Sequence, residues 1–94
     1  MSNATARKDI FHAVGDANRR RIIELLAERP RTVGELAGEL GIAQPSVSQH
    51  LTVLRAVGLT ASERRGTSTV VSLTPEPLTD VAAWCLAQGG RATS

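Results

Sequence analysis

Residues 33–51 read VGELAGELGIAQPSVSQHL, and this stretch decides the fold. Val33, Leu36, Ala37 and Leu40 recur at helical spacing. Thr32 precedes them and Glu35 stands three residues after it, so Thr32-Val33-Gly34-Glu35 is a capping box, in which two orphan backbone N–H groups are satisfied reciprocally. Gly41 follows the last apolar residue, where a chain leaving a helix turns through positive φ. A second helix starts two or three residues later, with Pro45 in its first turn, where the missing N–H costs nothing. Val47, Leu51 and Leu54 line its inner face. Ala37, Gly41 and Val47 thus sit at helix-turn-helix spacing: a small residue where the helices cross, a glycine in the turn, and a plug from the other side.

Working outward, Ile10, Phe11 and Val14 stripe a short helix over residues 9–14, broken by Gly15. Asp16 is placed to cap a second helix, Ala17 to Glu28, whose buried face is Ile22, Ile23, Leu25 and Leu26. Arg19, Arg20, Glu24 and Glu28 are expected in water, and Pro30 stops the helix. Downstream, the helix of the motif ends near Gly58 and the period falls to two. Leu59 to Arg65 and Ser68 to Leu73 read as the strands of a hairpin that turns at Gly66-Thr67. Pro75 and Pro77 lead into a last helix, Leu78 to about Gln88, closed by Gly89-Gly90. The predicted fold is mainly α with a small β-hairpin (α+β): four helices, the hairpin, then a fifth helix. This makes one winged helix-turn-helix domain over residues 9–88, between flexible tails at 1–8 and 89–94.

Composition narrows the function classes. The chain has 94 residues, room for one modest core that oligomerisation would reinforce. Phe11 and Trp84 are its only aromatics, which argues against the stacking platforms used on single-stranded nucleic acid. Net charge is +2, and ten of the eleven basic residues are Arg, suited to forked phosphate contacts. The clusters Arg19–Arg21, Arg29 with Arg31, and Arg64 with Arg65 are each expected on a solvated surface. The lone Cys85 excludes an intramolecular disulfide. No run reaches membrane-span length and no secretory leader is visible, so a cytoplasmic protein is expected. No nucleophile–base pair, carboxylate pair or phosphate-binding glycine loop is present, so the chain reads as a non-enzyme without cofactor.

With Val47, Leu51 and Leu54 inward, the fourth helix exposes Gln44, Pro45, Ser48, Gln49, Thr52 and Arg55. This face lacks the alternating charges of a merely soluble helix. Short hydroxyl and amide side chains can pair with base edges in a major groove, and Arg55 is placed for phosphate. Arg64 and Arg65, beside Gly66 at the hairpin tip, can reach an adjacent groove or its phosphates. Thr32 and Thr67 complete the expected backbone and wing contacts. The rival reading is a winged-helix protein-interaction module that does not read DNA, which calls for an acidic or apolar face over that helix.

The segments Gly15-Asp16-Ala17-Asn18-Arg19-Arg20-Arg21-Ile22, Val33-Gly34-Glu35-Leu36-Ala37, Gln44-Pro45-Ser46-Val47-Ser48-Gln49-His50-Leu51 and Leu54-Arg55-Ala56-Val57-Gly58-Leu59 resemble the ArsR, or SmtB-like, family of bacterial repressors, over about residues 9–86. The resemblance implies a homodimeric transcriptional regulator that binds a partly palindromic operator on double-stranded DNA. It places Gln44, Ser46, Ser48 and Gln49 at recognition-helix positions and Arg64 and Arg65 in the wing. It makes the first and last helices the dimer interface, through Ile10, Phe11, Val14, Leu78, Val81, Ala82, Cys85 and Leu86. Many members sense metal through cysteines on the third helix, or Asp and His on the last. Here Glu35–Glu39 holds no Cys, Asp80 has no His beside it and Cys85 is solitary, so no metal site is expected. Where the family often has Ser or Thr, Ala43 precedes the recognition helix, and loss of such a cap costs about 0.5–2 kcal/mol.

Overall fold

A computed structural model describes residues 10–74. The expected last helix, with Leu78, Val81, Ala82, Cys85 and Leu86, lies outside the described residues, as do the expected tails. Within them, helix boundaries follow from local chemistry. Helix α1 covers residues 10–13 and gives way to a turn at Val14 and Gly15. Helix α2 runs Ala17–Glu28; its N-cap Asp16 is extended and its carboxylate accepts the Arg19 backbone N–H at 3.0 Å. Helix α3, Val33–Leu40, carries the full capping box: the Thr32 hydroxyl accepts from the Glu35 N–H at 3.1 Å, and the Glu35 carboxylate accepts from the Thr32 N–H at 2.9 Å. Gly41, at φ 68°, ends α3, and the Gly41 and Ile42 N–H groups both donate to the Ala37 carbonyl. Helix α4 runs Gln44–Ala56, with Pro45 in its first turn. Gly58, at φ 78°, closes it in a Schellman motif: its N–H donates to Arg55 and that of Leu59 to Leu54.

The expected order, four helices before any strand, is corrected by a strand between α2 and α3. Arg31–Thr32 forms β1, and the hairpin strands are β2, Thr60–Arg65, and β3, Ser68–Leu73. The described order is therefore helix, helix, strand, helix, helix, strand, strand. The sheet runs β1-β3-β2, antiparallel throughout, with Arg31 opposite Val71 and Thr32 opposite Val70. Two residues are too few to show a period, and their pairing is set by β3, some 40 residues later. Thr32 therefore does two jobs: it ends a strand and caps a helix.

The added strand also changes Arg31, which was expected on the surface with Arg29. Arg31 is only 7% exposed, and its guanidinium donates to Glu28 at 2.8 Å. The core gathers Ile22 of α2, Leu36 of α3, Val47 and Leu54 of α4, Leu59, and Val71 of β3, all fully buried. Each such side chain contributes about 1.5–3 kcal/mol from leaving water. Because both helices of the turn motif and the sheet share this core, their outer faces are held at fixed relative positions.

Candidate nucleic-acid interface

Helix α4 sorts its side chains by face. Val47, Leu51 and Leu54 are buried, whereas Gln44, Pro45, Ser48, Gln49, Thr52 and Arg55 are exposed. Ser46 is half-buried and turns partly toward the protein. The Thr52 hydroxyl donates to the Ser48 carbonyl at 2.9 Å, which leaves its oxygen as an outward acceptor. The helix contains no Asp or Glu, so nothing on it repels a polyanion.

A polar groove joins this face to the wing. It is lined by Thr32, Val33 and Gly34 at the start of α3, Gln44 and Ser48 of α4, and Thr67, Ser68 and Thr69 at the hairpin tip. Four of the residues singled out from sequence, Thr32, Gln44, Ser48 and Thr67, thus line one depression. Gly34 was read only as part of the capping box, yet a Cβ there would stand 3.6 Å from Gln44 Nε2 and 3.9 Å from Thr32 Oγ1. Both are ordinary van der Waals distances, so the Gln44 amide packs beside the start of α3, a crossing invisible without the fold.

The hairpin register separates the two wing arginines. Arg64 lies opposite Thr69, and Arg65 opposite Ser68. Facing residues share a side of the sheet, and sides alternate along a strand. Arg64 therefore shares its side with Thr69 and the buried Val71, and Arg65 faces Ser68; both Thr69 and Ser68 line the groove. Arg65 shares the other side with Glu63 and pairs with it at 3.1 Å, both side chains being about two-thirds exposed. Arg64 makes only a long 3.4 Å contact to the Gly66 carbonyl.

Three side chains have partners that the sequence reading did not name. Arg20 is exposed, as expected, and donates to the carbonyls of Val14 and Gly15. Arg19, also expected in water, is half-buried and donates to Ala13 and His12. His50 is turned to α2 and sits beside Arg19 and Asp16. The sequence signal available was the unpaired carbonyls at the end of α1, but only the fold says which arginines supply the donors.

Two carboxyls are held below their ordinary range. For Asp16 the main cause is the Arg19 backbone N–H, with the nearby His50 and Arg19 side chains adding to it. For Glu35 it is the Thr32 backbone N–H, followed by the Arg29 guanidinium. Of the expected dimer contacts, Ile10 is buried within the single chain and Val14 half-buried, while Phe11 is 43% exposed. Among the described residues, no three of His, Cys, Asp and Glu cluster to hold a metal ion, and no helix is long and apolar enough to cross a membrane.

Comparison with known proteins converges on one family. Residues 16–61 match the model of the bacterial regulatory proteins of the arsR family. The chain is 41% identical to the HTH-type transcriptional regulator Rv2034 of Mycobacterium tuberculosis, over 83% of this chain and 73% of that one. It is 33% identical to the transcriptional repressor SdpR of Bacillus subtilis, over 83% of this chain and 87% of that one. A solved ArsR family transcriptional regulator superposes with a TM-score of 0.87 at 30% identity, covering 99% of this chain and 96% of the other. Sequence, turn geometry and these likenesses agree that the chain belongs to the ArsR (SmtB-like) family of winged helix-turn-helix, DNA-binding transcriptional regulators.

Proposed function

We propose that two copies of the chain form a homodimer that represses transcription from a partly palindromic operator, with α4 of each copy in a major groove and the wing over the flanking backbone. The carrying observation is the acid-free outer face of α4, continuous through a polar groove with the hairpin tip. In this reading Gln44, Ser48 and Gln49 meet base edges, with Pro45, Ser46 and Thr52 around them. Thr32, Arg55, Arg64, Arg65 and Thr67 meet phosphate. Two-fold symmetry sets the two helices roughly 34 Å apart, one turn of DNA. Phe11 of α1, 43% exposed, belongs to this proposed contact. The last helix, with Leu78, Val81, Ala82, Cys85 and Leu86, supplies the rest of the dimer contact. Repression is favoured by the likeness to a relative named as a repressor. The protein works in the cytoplasm, and its α3, which has no cysteine, gives a thiophilic metal no purchase.

The test is binding to duplexes selected by the protein from a random-sequence library. The expected result is a palindromic consensus, bound as a dimer with salt-dependent affinity. Replacing Ser48 and Gln49 by Ala should lower discrimination over random duplex by about 1–3 kcal/mol for each lost base contact. Equal affinity for selected and random duplex would refute sequence reading by α4.

A further inference from the structure

His50 lies on α4 but does not join its outer face. Its side chain is 19% exposed and turned to the start of α2. There Nδ1 stands 3.4 Å from an Arg19 terminal nitrogen and 3.8 Å from the Asp16 carboxylate. The same Arg19 fork donates through Nε to the Ala13 carbonyl at 2.6 Å and through its other terminal nitrogen to His12 at 3.3 Å. Arg19 therefore spans from the final carbonyls of α1 to the middle of α4.

We propose that Arg19 and His50 are positioning residues, a strut that sets the angle of α4 against the end of α1, and that protonation of His50 releases it. The proposal rests on α4 being the helix that enters the groove. A neutral imidazole with its proton on Nε2 accepts the Arg19 donor at Nδ1. A protonated one has no acceptor left and repels the guanidinium, so its Nδ1–H turns to Asp16. Asp16 is ready for this exchange, because the Arg19 backbone N–H lowers the pKa of its carboxyl and favours the ionised form. Among the described residues, Asp16 and Arg19 are the charged groups in contact with the imidazole. No hydrogen bond or ion pair joins it to Glu35 or Glu39 of α3, or to Glu63, Arg64 or Arg65 of β2.

The consequence is a link between two surfaces. Residues 12 and 13, which take the guanidinium, adjoin Phe11, the exposed apolar side chain of α1. A contact that shifts α1 moves Arg19 and, through His50, the helix that reads the duplex.

The experiment compares wild type, His50→Asn, which keeps an acceptor at the Nδ1 position without titrating, and His50→Ala, with His12→Gln as control for the other histidine. Affinity is measured for the duplex that wild type selects from a random library and for random duplex, from about pH 7.5 to about pH 5.5. The ratio of the two removes the general gain from added positive charge. It should fall roughly 3- to 10-fold on acidification in wild type and in His12→Gln, the worth of one modest hydrogen bond. It should stay flat and high in His50→Asn, and flat and low in His50→Ala. A wild-type slope retained in His50→Asn overturns the proposal, as does an Ala variant that discriminates like wild type. Nitrogen NMR of the DNA-free protein gives an independent reading: the Arg19 Nε–H signal should shift with the His50 midpoint. Absence of that shift overturns the strut even if DNA discrimination stands, and absence of any selected duplex with the shift present sinks only the placement of α4.

Discussion

The two helices of the turn motif begin in opposite ways. At the start of α3, Thr32 and Glu35 satisfy one another's backbone groups. Helix α4 starts from Ala43, whose backbone already has N-cap geometry at φ −70° and ψ 149° but whose side chain has nothing to offer. Its first turn is drawn together by the N–H groups of Ser46 and Val47, which both donate to the Ala43 carbonyl. The first helix is thus fixed by its own polar chemistry. The second is fixed by the burial of Val47, Leu51 and Leu54, and by Pro45, whose ring presets the backbone. The lesson is a division of labour. A positioning element can close its own ends, whereas a reading element keeps its polar atoms outward and leans on packing.

The contrast can be broken from the α3 side with Thr32→Val. Valine keeps the shape and suits the strand position, so only the hydroxyl is lost. Stability should fall by about 1 kcal/mol, seen as a drop of about 4–8 °C in the thermal midpoint. An unchanged midpoint would show that the box is ornamental. From the α4 side, Ala43→Ser adds the missing cap at a backbone already shaped for it. A gain of about 0.5–1 kcal/mol is expected in denaturant unfolding. No gain would mean that the first N–H groups of α4 already have partners, and the two starts would then be alike.

Acid sharpens the same comparison with a smaller effect. Glu35 has its carboxyl lowered in the folded chain, chiefly by the Thr32 N–H. A lowered folded value gives stability that is complete above the ordinary carboxylate range and is lost as pH falls through the folded value. The box should therefore hold at neutral pH and weaken below about pH 4. Glu35→Gln keeps an acceptor but does not titrate, so its unfolding midpoint should vary less with pH there. A parallel pH profile for the two proteins would remove Glu35 from the account.

What the sequence disclosed follows the range of the interaction. Caps and turns depend on neighbours a few residues apart. Asp16, Thr32 with Glu35, Gly41 and the bounds of α2 and α3 were all readable, as were the inner residues of α4. What needed the fold was set by distant partners. Strand β1 exists because β3 lies beside it, and Arg31 is buried for the same reason. Arg19 looks like one of three consecutive surface arginines until the ends of α1 and α4 are brought to it. That Gly34 lies beside Gln44 is visible only once α3 and α4 are packed. Hydrophobic period carries no information about any of these.

The wing repeats the contrast between closed and open groups at one-residue spacing. Arg65 is paired with Glu63 on its own strand, whereas Arg64, on the opposite side of the sheet, has no carboxylate partner among the described residues. An exposed ion pair of this kind is worth about 0–1 kcal/mol, but its acid also offsets a positive charge where a phosphate would lie. Glu63→Gln should raise affinity for any duplex by about two- to threefold at low salt, with the gain fading as salt screens it. Arg64→Gln should reduce the slope of log affinity against log salt by about one, because a phosphate contact is lost. Arg65→Gln should change it less, since Glu63 already occupies that guanidinium. If both arginines change the slope equally, the hairpin twists enough at its tip to present both, and strand register no longer tells them apart.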